Sequence, residues 1–132
     1  MKTKKTGLFL AIIVLIFSIF SCDPDRYYNY FITNKCEEVI EVKFDVSQLG
    51  TPEILNKVVY ISPDSTKLIH SDEDYQPLWY GMVEIFFRRG IIITKGSDTS
   101  KVNYVDKGLW DFKKISKNHA DSYLTVRPED FE

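Results

Sequence analysis

The chain has few of the residues on which catalytic and metal sites are built. Two histidines and two cysteines occur in 132 residues. Neither cysteine has a histidine nearby, so no metal-ligand spacing is present. A triad or metal site would need His70 and His119 to converge with a nucleophile or carboxylates. Each lies beside loop-like sequence, so both read as surface residues. The chain also lacks GxSxG, HExxH, phosphate-loop and dinucleotide fingerprints. Carboxylate pairs are inevitable among 19 acids and do not indicate a glycosidase. The expectation is no enzyme, no cofactor and no metal. Nor is there a basic excess. Setting aside Lys2, Lys4 and Lys5 in the leading segment leaves 14 of the 17 basic residues against 19 acids. Such a domain is a poor nucleic-acid partner, because phosphate neutralisation dominates that affinity. No apolar run reaches the roughly 20 residues that a bilayer core demands.

The N-terminus carries an export signal instead. Residues 1–6 are basic, and residues 8–20 are apolar except for Ser18. That length suits a signal-peptide core, with an uncleaved anchor as the alternative. The run ends in Ile19-Phe20-Ser21-Cys22, which resembles the lipobox of bacterial lipoproteins, with Phe20 where that pattern favours a small residue. The resemblance implies cleavage before Cys22 and acyl chains on it, and hence a partner in the membrane. Two or three acyl chains form a durable anchor. The organisation expected is a signal peptide over 1–21, a lipidated cysteine and tether over 22–26, and one domain over 27–132. With Cys22 acylated, Cys36 has no partner and should be a buried or unreactive thiol. In a simply secreted chain the two could pair, closing a loop of about 15 residues.

Downstream, the hydrophobic period is two. Tyr28, Tyr30 and Ile32 alternate with Asn29, Phe31 and Thr33, and Ile40, Val42 and Phe44 alternate with Glu41, Lys43 and Asp45. Strands are further expected over 58–61, 66–70, 83–87, 91–94, 109–112 and 122–126. Turns are expected at Pro63, at 95–100 and at Gly90, the last closing a hairpin between 83–87 and 91–94. Residues 52–57 could form one helical turn. The fold class expected is all-β, a single antiparallel β-sandwich of immunoglobulin-like or transthyretin-like shape. Its core should include Ile40, Val42, Phe44, Ile85, Ile93 and Trp110.

The lipobox-like end, YFITN at 30–34, VIEVKF at 39–44, ISPDST at 61–66, Trp110, SYLTV at 122–126 and RPEDF at 127–131 together resemble small Bacteroidetes lipoproteins. The resemblance implies a β-sandwich on a lipid anchor in the outer membrane, facing the periplasm or the cell surface. It says little about activity. The most informative loop is 71–80. Asp72, Glu73 and Asp74 read as a solvated acidic stretch, while Tyr75, Trp79 and Tyr80 are candidate ligand-binding rings. The alternative is that Trp79 plugs the end of the sandwich. Asp64-Ser65-Thr66 resembles a Bacteroidetes O-glycosylation acceptor, with Ser65 as the candidate site. The function expected is a lipid-anchored binding or accessory module for a glycan or an envelope protein. A subunit of a fimbria-like surface assembly is the alternative, and a small hydrolase is a more distant one.

Overall fold

A computed structural model describes residues 26–47, 54–74, 82–87 and 89–132. Among these residues, eight strands form two four-stranded sheets: β1 (Arg26–Asn34), β2 (Ile40–Ser47), β3 (Ile54–Ile61), β4 (Thr66–Asp74), β5 (Ile91–Lys95), β6 (Asp98–Thr99), β7 (Trp110–Ser116) and β8 (His119–Val126). One sheet has the order β4-β1-β8-β7 and the other β3-β2-β5-β6. The core lies between them, because alternate residues of each strand are apolar. Tyr28, Tyr30 and Ile32 of β1 share one buried cluster with Ile40, Val42, Phe44 and Val46 of β2, Ile93 of β5 and Trp110. Each such side chain contributes about 1.5–3 kcal/mol by burial. Tyr30 is the hub. Its ring packs edge-on to Phe86, Phe87 and Trp110 at centroid distances of 5.7, 5.1 and 5.8 Å.

Most pairings are antiparallel, but β1 and β8 run parallel, from Tyr27 opposite His119 to Asn34 opposite Val126. The expectation of an antiparallel sandwich holds for the other strand pairs and is corrected at this one. Between these two strands the chain changes sheets several times, so no hairpin dictates their relative direction. Ser62 to Ser65 carries the chain from β3 in one sheet to β4 in the other. Ser65 N donates to Ser62 O at 3.2 Å, and Asp64 follows Pro63 with φ of 53°, the type II pattern.

Two local expectations are overturned. Residues 83–87 are not a strand: Met82–Phe86 is a helical turn, α1, with Phe87 N donating to Val83 O at 3.0 Å. Val83, Phe86 and Phe87 are buried, and their i, i+3, i+4 spacing is the inward face of a helix. In sequence, Val83-Glu84-Ile85 also alternates as a strand would, and five residues are too few to separate the two periods. Gly90 does take a positive φ, 96°, but it joins α1 to β5 rather than two strands. Residues 54–57, expected to be helical, begin β3 and pair with 44–47 of β2. The side chain of Ile85, expected in the core, lies outside the described residues. Among the described residues, no helix is long and apolar enough to cross a membrane.

Candidate functional site

The outward face of the β4-β1-β8-β7 sheet gathers the chemistry. The registers set its residues in rows across the strands. One row runs Leu68, Phe31, Tyr123, Asp111; the next runs Ser71, Asn29, Asp121, Lys113; a third runs Glu73, Tyr27, His119, Ser116. In the first row the rings of Phe31 and Tyr123 stack at 4.9 Å with 11° between their planes. Lys113 Nζ lies 4.9 Å from the Tyr123 centroid, within cation–π range. Leu68, opposite Phe31, is 47 % exposed. Burial, then the negative charge of Asp121, pushes the Tyr123 phenol above its ordinary pKa. The ring stays neutral at physiological pH.

The second and third rows are joined by hydrogen bonds. Ser71 Oγ donates to Asn29 Oδ1 at 2.7 Å, and Asn29 Nδ2 donates to Asp121 Oδ1 at 3.2 Å. His119 Nε2 is 2.7 Å from the same carboxylate oxygen and 2.9 Å from Asn29 Nδ2. A proton on Nε2 is therefore donated to Asp121, whereas a bare Nε2 accepts from Asn29. The network can present either polarity to a bound group. Ser71 bonds to Asn29 and not to an imidazole.

An open cleft of about 240 Å³ borders this face at the start of β7, lined by Tyr104, Leu109, Asp111, Thr125, Arg127 and Asp130 among others. Its wall is fixed from behind. Trp110 Nε1 donates to Tyr104 O at 2.7 Å, and the Tyr104 hydroxyl meets Ser100 Oγ at 2.8 Å and Asp130 Oδ2 at 3.2 Å.

The residues singled out in the sequence fare differently. Cys22, Tyr75, Trp79 and Tyr80 lie outside the described residues. Ser65 follows the Pro63–Asp64 turn, half-buried, its Oγ donating to Pro63 O at 3.3 Å. The acidic stretch is not a loop: Asp72, Glu73 and Asp74 complete β4, paired with Tyr28, Tyr27 and Arg26. The surface assignment of His70 is also corrected, whereas His119 does lie on the outward face. His70 is buried on the inner face of its sheet. A β-bulge in the β1–β4 pairing lies between Tyr30 and Phe31, and Ile69 and His70 are both buried beside it. Its ring stacks on Tyr30 at 6.2 Å and meets Phe86 and Phe87. Its Nε2 is 3.4 Å from Asp72 Oδ2, and its Nδ1 is buried without a hydrogen-bond partner. His119 is half-buried on the opposite face, so the two histidines do not converge. Cys36 is buried and forms no disulfide among the described residues, and burial raises its thiol pKa. No group of three His, Cys, Asp or Glu residues among those described is placed to hold a metal ion.

Asn29, Phe31, Asp121 and Tyr123 were not singled out from sequence. The alternation of β1 placed Asn29 and Phe31 outward, but only the pairing of β1 with β8 brings Asp121 and Tyr123 beside them. Compared with protein families, with curated proteins and with solved structures, the chain matches none.

Proposed function

We propose that this chain is a lipid-anchored bacterial envelope protein, exported by residues 1–21 and held by acyl chains on Cys22. Its β-domain is then a non-enzymatic binding module for an envelope glycan. One observation carries the glycan reading: the stacked, half-buried rings of Phe31 and Tyr123 lie beside the Ser71–Asn29–Asp121–His119 network on one strand face. Sugars present apolar C–H faces and rims of adjacent hydroxyls. Rings with polar tips pack against the former, and carboxylate, amide and hydroxyl groups bond to the latter. Side chains held on strands lose little conformational freedom when a ligand binds. A protein partner is the competing reading, with the same rings as anchors.

Of the two sandwich shapes expected, the strand partition favours the transthyretin-like one. In the immunoglobulin arrangement the first two strands share a sheet, whereas here β1 and β2 lie in different sheets.

The test is calorimetric titration of the purified protein with neutral and acidic envelope oligosaccharides. Tyr123→Ala and Asp121→Asn should each weaken binding at least about tenfold, near 1.4 kcal/mol, with little change in Tm. Unaltered affinity in both variants, or binding only to a protein from the same envelope, refutes the glycan reading.

A further inference from the structure

The end of the domain at which β1 begins has an uneven surface. Only residues 23–25 separate Cys22 from Arg26, the first residue of β1. At no more than about 3.6 Å per residue, Arg26 stays within roughly 14 Å of the anchored cysteine. The same end faces the bilayer if the apolar run 8–20 is itself the anchor. Because β8 is parallel to β1, the β7–β8 turn lies at this end, and Tyr27 N donates to Asn118 O at 2.8 Å. The pairing of β7 with β8 shifts register between Lys114 and Ser116, which leaves Ile115 unpaired and 55 % exposed. Lys113, Lys114 and Lys117 around it are exposed, and Tyr27 beside the turn is 50 % exposed.

We propose that the β7–β8 hairpin tip, with Lys114, Ile115 and Lys117, is a membrane-contact surface that seats on anionic phospholipid headgroups beside the anchor. The inference rests on the anchored reading above. Lysines flanking an exposed aliphatic side chain suit this boundary, with ammonium groups at the phosphates and the apolar chain among the upper acyl carbons. The charges at this end are divided. Among the described side chains of this sheet, Glu73 of β4 is exposed opposite Tyr27, whereas Lys113, Lys114 and Lys117 are exposed on the hairpin, so the β4 side is acidic and the hairpin side basic. An anionic surface attracts one side and repels the other. The domain therefore leans onto the hairpin. The turns at 62–65 and 96–97 occupy the opposite end and point away from the bilayer.

The full-length protein is reconstituted into phosphatidylcholine vesicles with and without phosphatidylglycerol. A fluorophore is placed on Ile115→Cys or, at the far end, on Ser97→Cys, and is quenched by headgroup-nitroxide lipid after flotation. Tether length alone would give the same quenching at 115 in both vesicle types. Seating on anionic headgroups predicts a several-fold rise at 115 on adding phosphatidylglycerol and no rise at 97. Lys114→Gln with Lys117→Gln should remove that rise. A floated protein whose quenching at 115 ignores phosphatidylglycerol overturns the contact and leaves the anchor standing. A protein that does not float overturns the anchor and the contact with it.

Discussion

Replacing Asn34 by alanine removes the polar staple that ties the end of β1 to the opposite sheet. Asn34 is fully buried. Its Nδ2 donates to Ile61 O at 2.9 Å, at the end of β3, and to Glu38 O at 2.8 Å, while its Oδ1 accepts from Cys36 N at 2.8 Å. Alanine leaves the Ile61 carbonyl and the Cys36 amide without these partners in a dry environment. The exposed Glu38 carbonyl can turn to water. Two buried groups at about 1–3 kcal/mol each give a loss of roughly 3–4 kcal/mol, a large share of a stability of about 5–15 kcal/mol. With m of about 1–3 kcal/mol/M, the urea midpoint should fall by roughly 1–4 M. Asn34→Asp should be at least as damaging at neutral pH. It keeps the acceptor for Cys36 but sets a carboxylate against two carbonyls. Thr33→Ala is the control. It removes only an exposed hydroxyl pair with Thr66, at 2.7 Å, and should cost less than about 1 kcal/mol. If Asn34→Ala also loses under 1 kcal/mol, Asn34 does not staple the sheets and the reasoning fails.

Alkaline pH should unfold the domain through its buried phenols. Burial raises the pKa of Tyr30 and of Tyr104 well above the usual value of 10.0. The unfolded chain therefore gives up protons that the native state keeps. Their contribution is fully present below pH 10 and declines above it, at about 1.4 kcal/mol per pH unit for each phenol. Urea midpoints at pH 8, 10 and 11 should show the fall, and Tyr104→Phe should make it shallower; a flat profile would contradict the shifts. Cys22→Ser should abolish acyl labelling and release the protein from the membrane fraction, whereas persistence there without acyl mass on the parent would disprove lipidation. Phe44→Ala should cost about 3–5 kcal/mol, since Phe44 packs on Phe87 at 5.4 Å; a loss below about 1 kcal/mol would place it outside the core.

The strands with strict alternation were legible. Ile40, Val42 and Phe44 of β2 announced their buried face, and the pairing of 110–112 with 122–124 followed from two β-rich runs around a polar turn. In 83–87 the first three residues alternate as a strand would, while Val83, Phe86 and Phe87 fit one helix face, and so short a run cannot tell helix from strand. The acidic residues 72–74 read as loop because charge usually marks solvent, yet β4 is an edge strand, where charged residues also guard against stray pairing. His70 was misjudged because a bulge, invisible to periodicity, accompanies its inward position. Most of the candidate site was hidden for one reason. Asn29 and Phe31 come from the first strand and Asp121 and Tyr123 from the last, and only a parallel pairing across more than 80 residues unites them.

The central claim is that the outward face of the β4-β1-β8-β7 sheet recognises an envelope glycan. Its most direct test is a side-chain-resolved NMR titration of the protein with oligosaccharides released from the producing cell's own envelope. Saturable shifts should concentrate at Asn29, Phe31, His119, Asp121 and Tyr123. Shifts confined to the other sheet, at Glu41, Lys43, Tyr60 and Ile92, or no shift at millimolar ligand, would contradict it.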